Sequence, residues 1–201
     1  MRVAVLASGR GSNFQSILDA SERGKLPNCK IKLLIVNKKD AYAIERAKNH
    51  NVPYYIIESD NKKREEFDLE MLKILKSNQI EIVVLAGFMR ILSKQFISEY
   101  KDKIINIHPS LLPKFPGAHA HRDAIEAKAK ISGCTVHFVD EGVDTGPIIM
   151  QESIAVDRDD DEHTLSEKIL PIEHKIYPKV LDLLTSNKIK IINGKVITET
   201  D

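Results

Sequence analysis

Apolar runs without a helical period alternate with amphipathic segments about every twenty residues along the first half of the chain, a spacing that points to parallel β-α-β units. "RVAVLAS" (2–8), "CKIKLLIVN" (29–37), "VPYYII" (52–57), "IEIVVLAGF" (80–88) and "KIINIH" (103–108) read as strands. Between them, "FQSILDASERG" (14–24), "AYAIERAKNHN" (41–51), "NKKREEFDLEMLKILKSN" (61–78) and "ILSKQFISEYKD" (91–102) read as helices, the third with Phe67, Met71 and Leu75 at a spacing of four. After residue 130 the pattern changes. "CTVHFVD" (134–140) and "GPIIMQESIAV" (146–156) follow one another with no helix between, so they pair antiparallel across "EGVDT". A helix over 163–185 and a short tail, "IKIINGKVITE", complete the chain. Pro171 and Pro178 fall inside that helix and should kink or interrupt it. The expected fold is α/β, a doubly wound, mostly parallel sheet with an antiparallel strand pair near the C-terminal part. No linker, repeat or low-complexity segment divides it, which implies one domain over 1–201.

Composition removes several classes of function. Thirty basic and twenty-nine acidic residues leave a net charge of +1, so no overall field draws in nucleic acid or an anionic membrane. No apolar stretch approaches the ~20 residues that a membrane helix needs. The two cysteines, Cys29 and Cys134, lie far apart in sequence, which argues for a reducing, cytoplasmic setting over a disulfide scaffold.

In an open parallel α/β sheet, ligands lie beyond the carboxyl ends of the strands. Four stretches fall there. "GRGSN" (9–13) lacks the third glycine of a dinucleotide fingerprint, since position 14 is Phe14. It remains suited to a single phosphate, through tight turning at Gly9 and Gly11 and the amides of a helix N-terminus. The alternative is that Ser12 or Asn13 caps the helix. "INIHPSLLPKFPGAHAH" (105–121) ends a strand on Asn106 and His108, which share a face at i, i+2. An amide donor beside an imidazole titrating near neutrality makes an oxyanion pocket with a proton-transfer group. The alternative is a strand-end pair bonded to neighbouring loops. His119 and His121 at i, i+2 would diverge on a strand, and no cysteine joins them and His137, so a metal site is disfavoured. "DEGVDTGP" (140–147) offers Asp140, Glu141 and Asp144. One of them could face His108 and raise its pKa, or all three could belong to a solvated turn. "GFMRIL" (87–92) could begin a helix or line a slot for a flat heterocycle.

Together these stretches resemble one family, the phosphoribosylglycinamide formyltransferases, which are folate-dependent enzymes of purine synthesis. The resemblance runs essentially end to end through "GSN", "LAGFMRIL", "INIHPSLLP", "GCTVHFVDEGVDTGPII" and "EHKIYP". It implies a Rossmann-like formyltransferase fold, with a phosphate-binding N-terminal half and a catalytic, folate-binding C-terminal half. It implies transfer of the formyl group of 10-formyltetrahydrofolate to the amine of glycinamide ribonucleotide, with no metal required. Asn106, His108 and Asp144 would be catalytic. Gly11, Ser12 and Asn13 would hold the ribonucleotide phosphate, and Glu173 its ribose. Met89, Arg90, Ile91, Leu92, Asn106, Asp140, Glu141, Gly142 and Val143 would bind the formyl folate, with Arg64 at its glutamate tail. The partners implied are small molecules, with no nucleic acid or membrane, and a monomer or homodimer. Two departures are visible. "RDAIEAKAKI" (122–131) lacks a glycine near 128, and Pro171 stands just before Glu173.

The same signature occurs in methionyl-tRNA formyltransferase and in formyltetrahydrofolate deformylase. The first would be expected to carry an additional nucleic-acid-binding domain and a basic surface, the second a regulatory domain ahead of the first strand. A non-catalytic nucleotide-binding module on the same fold is the rival of another class.

Overall fold

Five parallel strands in the order β3-β2-β1-β4-β5 build the first half of the chain in the computed structural model, which describes residues 1–58, 60 and 62–199. They are β1 Arg2–Ala7, β2 Lys30–Val36, β3 Tyr54–Ile56, β4 Ile82–Leu85 and β5 Ile104–His108. Four helices link them: α1 Ser12–Glu22, α2 Ala43–Asn49, α3 Arg64–Ser77 and α4 Lys94–Glu99. By its internal contacts the chain forms two units, Met1–Asn106 and Ile107–Asp201.

The first unit explains its own sequence pattern. Val3 to Ala7, Leu33 to Val36 and Val83–Val84 are wholly buried, so these strands read as unbroken apolar runs rather than alternating ones. Phe67, Met71 and Leu75 are equally buried, which confirms the stripe of α3. Asn61, the first residue of the helix expected over 61–78, lies outside the described residues. The expected strand over 80–88 stops at Leu85, because Gly87 takes φ 69° and residues 86–93 form an irregular loop. "GFMRIL" therefore does not begin a helix. Ser93 does, with its hydroxyl accepting from Phe96 N at 3.2 Å. Register aligns the strand ends: Leu6 pairs with Leu85, and Leu85 with Asn106. The loops after β1 and β4 thus emerge level with Asn106.

In the second unit, β6 Ile131–Phe138 and β7 Ile148–Ala155 pair antiparallel, as the sequence predicts, with an irregularity between Val136 and His137. Helix α6, Glu162–Thr185, packs on both strands. Asp161 caps it, accepting from Thr164 N at 2.8 Å while Thr164 Oγ1 accepts from Asp161 N at 2.9 Å. The helix runs through Pro171 and Pro178 without an interruption. Pro171 is exposed, as is Glu167 four residues earlier, so the carbonyl left without its intrahelical donor can turn to water. The structure also holds α5 Ala120–Glu126 and a hairpin of β8 Ile189–Ile192 and β9 Lys195–Thr198, where the sequence reading had a loop and a tail. The hairpin turns on Asn193 and Gly194, both at positive φ.

Candidate active site

The glycine loop of the first unit settles one open choice. Gly11, not Ser12 or Asn13, is the N-cap of α1; it has φ 64° and makes no side-chain capping bond. Gln15 N bonds to Gly11 O at 2.9 Å and starts the helical ladder. Ser12 and Asn13 form the first turn, where amides have no intrahelical acceptor and point out along the axis. A side chain at position 11 has no room, since its Cβ would lie 2.7 Å from that of Ala43.

The loop after β4 is tied to the loop after β1. Ser8 N donates to Gly87 O at 3.1 Å, and Met89 N donates to Ser8 Oγ at 2.8 Å. Met89 (68% exposed) and Ile91 (54%) project outward, whereas Leu92 is buried. Arg90 lies over the Phe67 ring with Cζ 5.4 Å from its centroid, and Phe67 stacks on Phe88. The sequence reading missed Asp68. This buried carboxylate of α3 accepts from Ser93 N and pins the far end of the loop. Burial raises its pKa, opposed by the Ser93 bonds and by the charges of Arg64 and Arg90. Arg64 itself opens α3 and is exposed.

The second unit assembles the titratable cluster. His108 is 4% exposed. Its Nε2 donates to the carbonyl of Phe115 at 2.8 Å, and its Nδ1 lies 3.3 Å from Asp144 Oδ2. Of the three acids in the late turn, Asp144 is the one that faces inward. It takes φ 56° and also accepts from Gly117 N at 2.8 Å. Asp140 instead closes its own turn, accepting from Gly142 N at 3.1 Å and Thr145 Oγ1 at 2.7 Å. Glu141, Gly142 and Val143 are exposed around it. His137, which the sequence reading weighed only as a metal ligand, is buried with Nε2 3.6 Å from Asp144 Oδ1. Its Nδ1 donates to Phe138 O at 2.7 Å. The alternation of β6 carried a signal: a polar residue on a strand otherwise buried throughout. Asn106 is half-buried, two residues before His108 on β5. Glu173 is buried on α6, and its charge, after burial, helps push the Cys134 thiol up to about 12. His119 precedes α5 and is exposed. Among the described residues no three His, Cys, Asp or Glu side chains are grouped to hold a metal ion.

One expectation is reversed. Asp144 was to lift the pKa of His108 above its free value, yet the pKa is lowered. Burial outweighs the raising effects of the Phe115 carbonyl and of Asp144, and His137 adds to the lowering. Asp144 is also burdened by burial, but the bonds from His137 and Gly117 and the imidazole charges hold its pKa below the ordinary value. A histidine with a depressed folded pKa binds its proton more readily when unfolded. Its contribution to stability is therefore complete above the unfolded value of about 6.5 and is lost as pH falls below it. In an NMR titration, His108 should titrate below a free imidazole, and lower still in Asp144→Asn. An unchanged value in the variant would remove Asp144 from its environment.

The loop between His108 and Asp144's partner Gly117 is held by Thr135. This wholly buried hydroxyl donates to Ser110 O at 2.6 Å and accepts from Leu112 N at 3.1 Å and Gln151 Nε2 at 2.8 Å. Thr135→Val keeps the shape and strands all three partners. A cost of about 2–3 kcal/mol is expected, seen as a melting point lowered by roughly 4–10 °C. A loss under about 1 °C would show that the loop is held otherwise.

Comparison with known proteins agrees with this site. The formyl transferase family model matches residues 1–181. The trifunctional purine biosynthetic protein adenosine-3 of Drosophila pseudoobscura pseudoobscura is 46% identical over 194 residues, 96% of this chain and 14% of that protein. This chain therefore spans about a seventh of the length of that relative. Phosphoribosylglycinamide formyltransferase of Escherichia coli (strain K12) is 40% identical over 192 residues, 95% of this chain and 90% of that protein. Among solved structures, glycinamide ribonucleotide transformylase 1 from Symbiobacterium toebii superposes with a TM-score of 0.95 at 38% identity, covering 98% of this chain and 93% of that one.

Proposed function

The chain belongs to the formyl transferase family, and from that premise we propose that it transfers the formyl group of 10-formyltetrahydrofolate to the amine of N1-(5-phospho-D-ribosyl)glycinamide. The observation that carries this reading is the buried His108–Asp144 pair at the carboxyl end of β5, two residues beyond Asn106. Its level in the sheet register is that of the two loops assigned to ligands in the first unit. The first unit supplies the phosphate loop, Gly11 to Asn13, and the pterin loop, Met89 to Leu92, with Arg64 at the glutamate tail. The second supplies His108, Asp144, the turn 140–143 and Glu173 for the ribose, and the whole chain acts as one formyltransferase domain.

The amine nitrogen bonds to the formyl carbon while the carbonyl electron pair moves onto oxygen. The Asn106 amide donates to that oxyanion. In neutral His108, Nε2–H is committed to Phe115 O, which leaves a lone pair on Nδ1 facing the Asp144 carboxylate. A proton taken up there turns a repulsive contact into an N–H···carboxylate bond, so the pair is built to accept one proton. The amine's proton passes to it, relayed by water, and returns to N10 as the C–N10 bond breaks and tetrahydrofolate leaves. The chemistry uses no metal and no nucleic acid, and the setting is the cytoplasm. No helix of the described residues is long and apolar enough to cross a membrane.

An absorbance assay with a 10-formyl folate analogue tests the proposal. Deformylation that requires glycinamide ribonucleotide is expected. Equal turnover without it would identify a hydrolase, and none with it would refute transfer to this amine.

A further inference from the structure

Helix α2 grips the glycine loop through its main chain. Gly9 O accepts from Ala43 N at 3.1 Å, and Arg10 O accepts from Arg46 Nε at 2.9 Å. In a trans peptide the C=O of one residue and the N–H of the next point in opposite directions. Two carbonyls drawn toward α2 therefore turn the N–H groups of Arg10 and Gly11 away from it. The guanidinium is itself fixed. Its Nη1 donates to Gln15 Oε1 at 2.9 Å, and its Cζ lies 5.1 Å from the Tyr42 ring centroid. Gln15 is held in turn by donating to Asp19 Oδ1 at 2.7 Å and meeting His50 Nε2 at 2.9 Å. Both acceptors of the Arg46 guanidinium are neutral, a carbonyl and an amide, so neither bond cancels its charge behind the loop.

We propose that Arg46 is a positioning residue for the ribonucleotide phosphate: it aims the Gly11 amide and backs the loop with a positive charge, and so sets the preference for a phosphorylated substrate. This rests on the phosphate-loop reading given above. Lysine cannot replace it fully, because a single ammonium cannot present two rigidly spaced donors to Arg10 O and Gln15 Oε1.

The test is steady-state kinetics of Arg46→Gln and Arg46→Lys, with glycinamide ribonucleotide and its dephosphorylated nucleoside, and inorganic phosphate as a competitive inhibitor. Arg46→Gln should raise KM for the ribonucleotide about ten- to a hundredfold, the range of a lost hydrogen bond to a charged group. The kcat and the folate KM should stay within about twofold, and the inhibition constant of phosphate should rise in parallel. Arg46→Lys should fall between. Should Arg46→Gln not fold, Gln15→Met, which removes only the second anchor, should move KM the same way by less. An unchanged ribonucleotide KM, or equal losses for both substrates with a lowered melting point, would overturn the inference and leave Arg46 as a packing residue. A wild-type protein that accepts both substrates alike would overturn the phosphate-loop reading as well, so the two failures are distinguishable.

Discussion

Replacing His108 with alanine is expected to lower kcat by about a hundred- to a thousandfold, with KM for either substrate changed only a few times. The ring is almost wholly buried and bridges the Phe115 carbonyl to Asp144. Alanine removes the proton acceptor and leaves Asp144 with Gly117 N and His137 as its remaining partners in the cluster. Those partners keep the carboxylate bonded, so the variant should fold while losing its chemistry. Asn106→Ala and Asp144→Ala should each cost about a hundredfold or more in kcat, the first by removing the oxyanion donor. The three losses should not add, because the residues act on one proton and one oxyanion. The measurement is single-turnover formyl transfer at saturating substrates, with circular dichroism as the check on folding. Near-normal turnover in any folded variant would take that residue out of the mechanism.

Gly11→Val is expected to damage folding before it damages binding. Position 11 has φ 64°, a conformation that costs a residue with a side chain about 1–2 kcal/mol. The added Cβ would lie 2.7 Å from Ala43 Cβ and 3.1 Å from Ala43 Cα, an overlap in the range of overpacked cores at about 1–3 kcal/mol. Together these put the melting point down by roughly ten degrees. A test of the phosphate site that enlarges Gly11 therefore confounds ligand crowding with a forced separation of α1 and α2. The two contributions separate in a double-mutant cycle. Ala43→Gly should recover the steric part of Gly11→Ala and none of the backbone part. A Gly11→Val protein melting within about 2 °C of wild type would show that α2 gives way freely.

What could be read ahead of the coordinates follows from where tertiary context intervenes. The strands β1, β2 and β4 were legible because both faces are buried, which leaves an apolar run in the sequence. Helix α5 was not, since it buries only Ala120 and Ala124 and so shows no apolar stripe. The hairpin β8–β9 carried its signal in Asn193–Gly194, and the length of the tail hid it. In the late turn, three carboxylates stood within five positions, and only the fold could decide among them: Asp140 satisfies its own turn and Asp144 faces inward at a positive φ. The sign of the His108 shift escaped for a related reason. A nearby carboxylate can be inferred from sequence, but the weight of desolvation against it depends on burial, which a motif does not state.

The shortness of β3 bears on how this protein behaves at high concentration. As the outer strand of its parallel set it presents an edge, and Tyr54, Tyr55 and Ile56 are all exposed there. Aromatic and β-branched side chains on an open edge are the ingredients of intermolecular strand addition. With three residues, however, the edge can offer an incoming chain only a few main-chain partners, and Pro53 just ahead has no N–H to extend the ladder. The truncated strand thus acts as a guard against aggregation, and lengthening it by replacing Pro53 would be the substitution most apt to turn a soluble enzyme into a self-templating one.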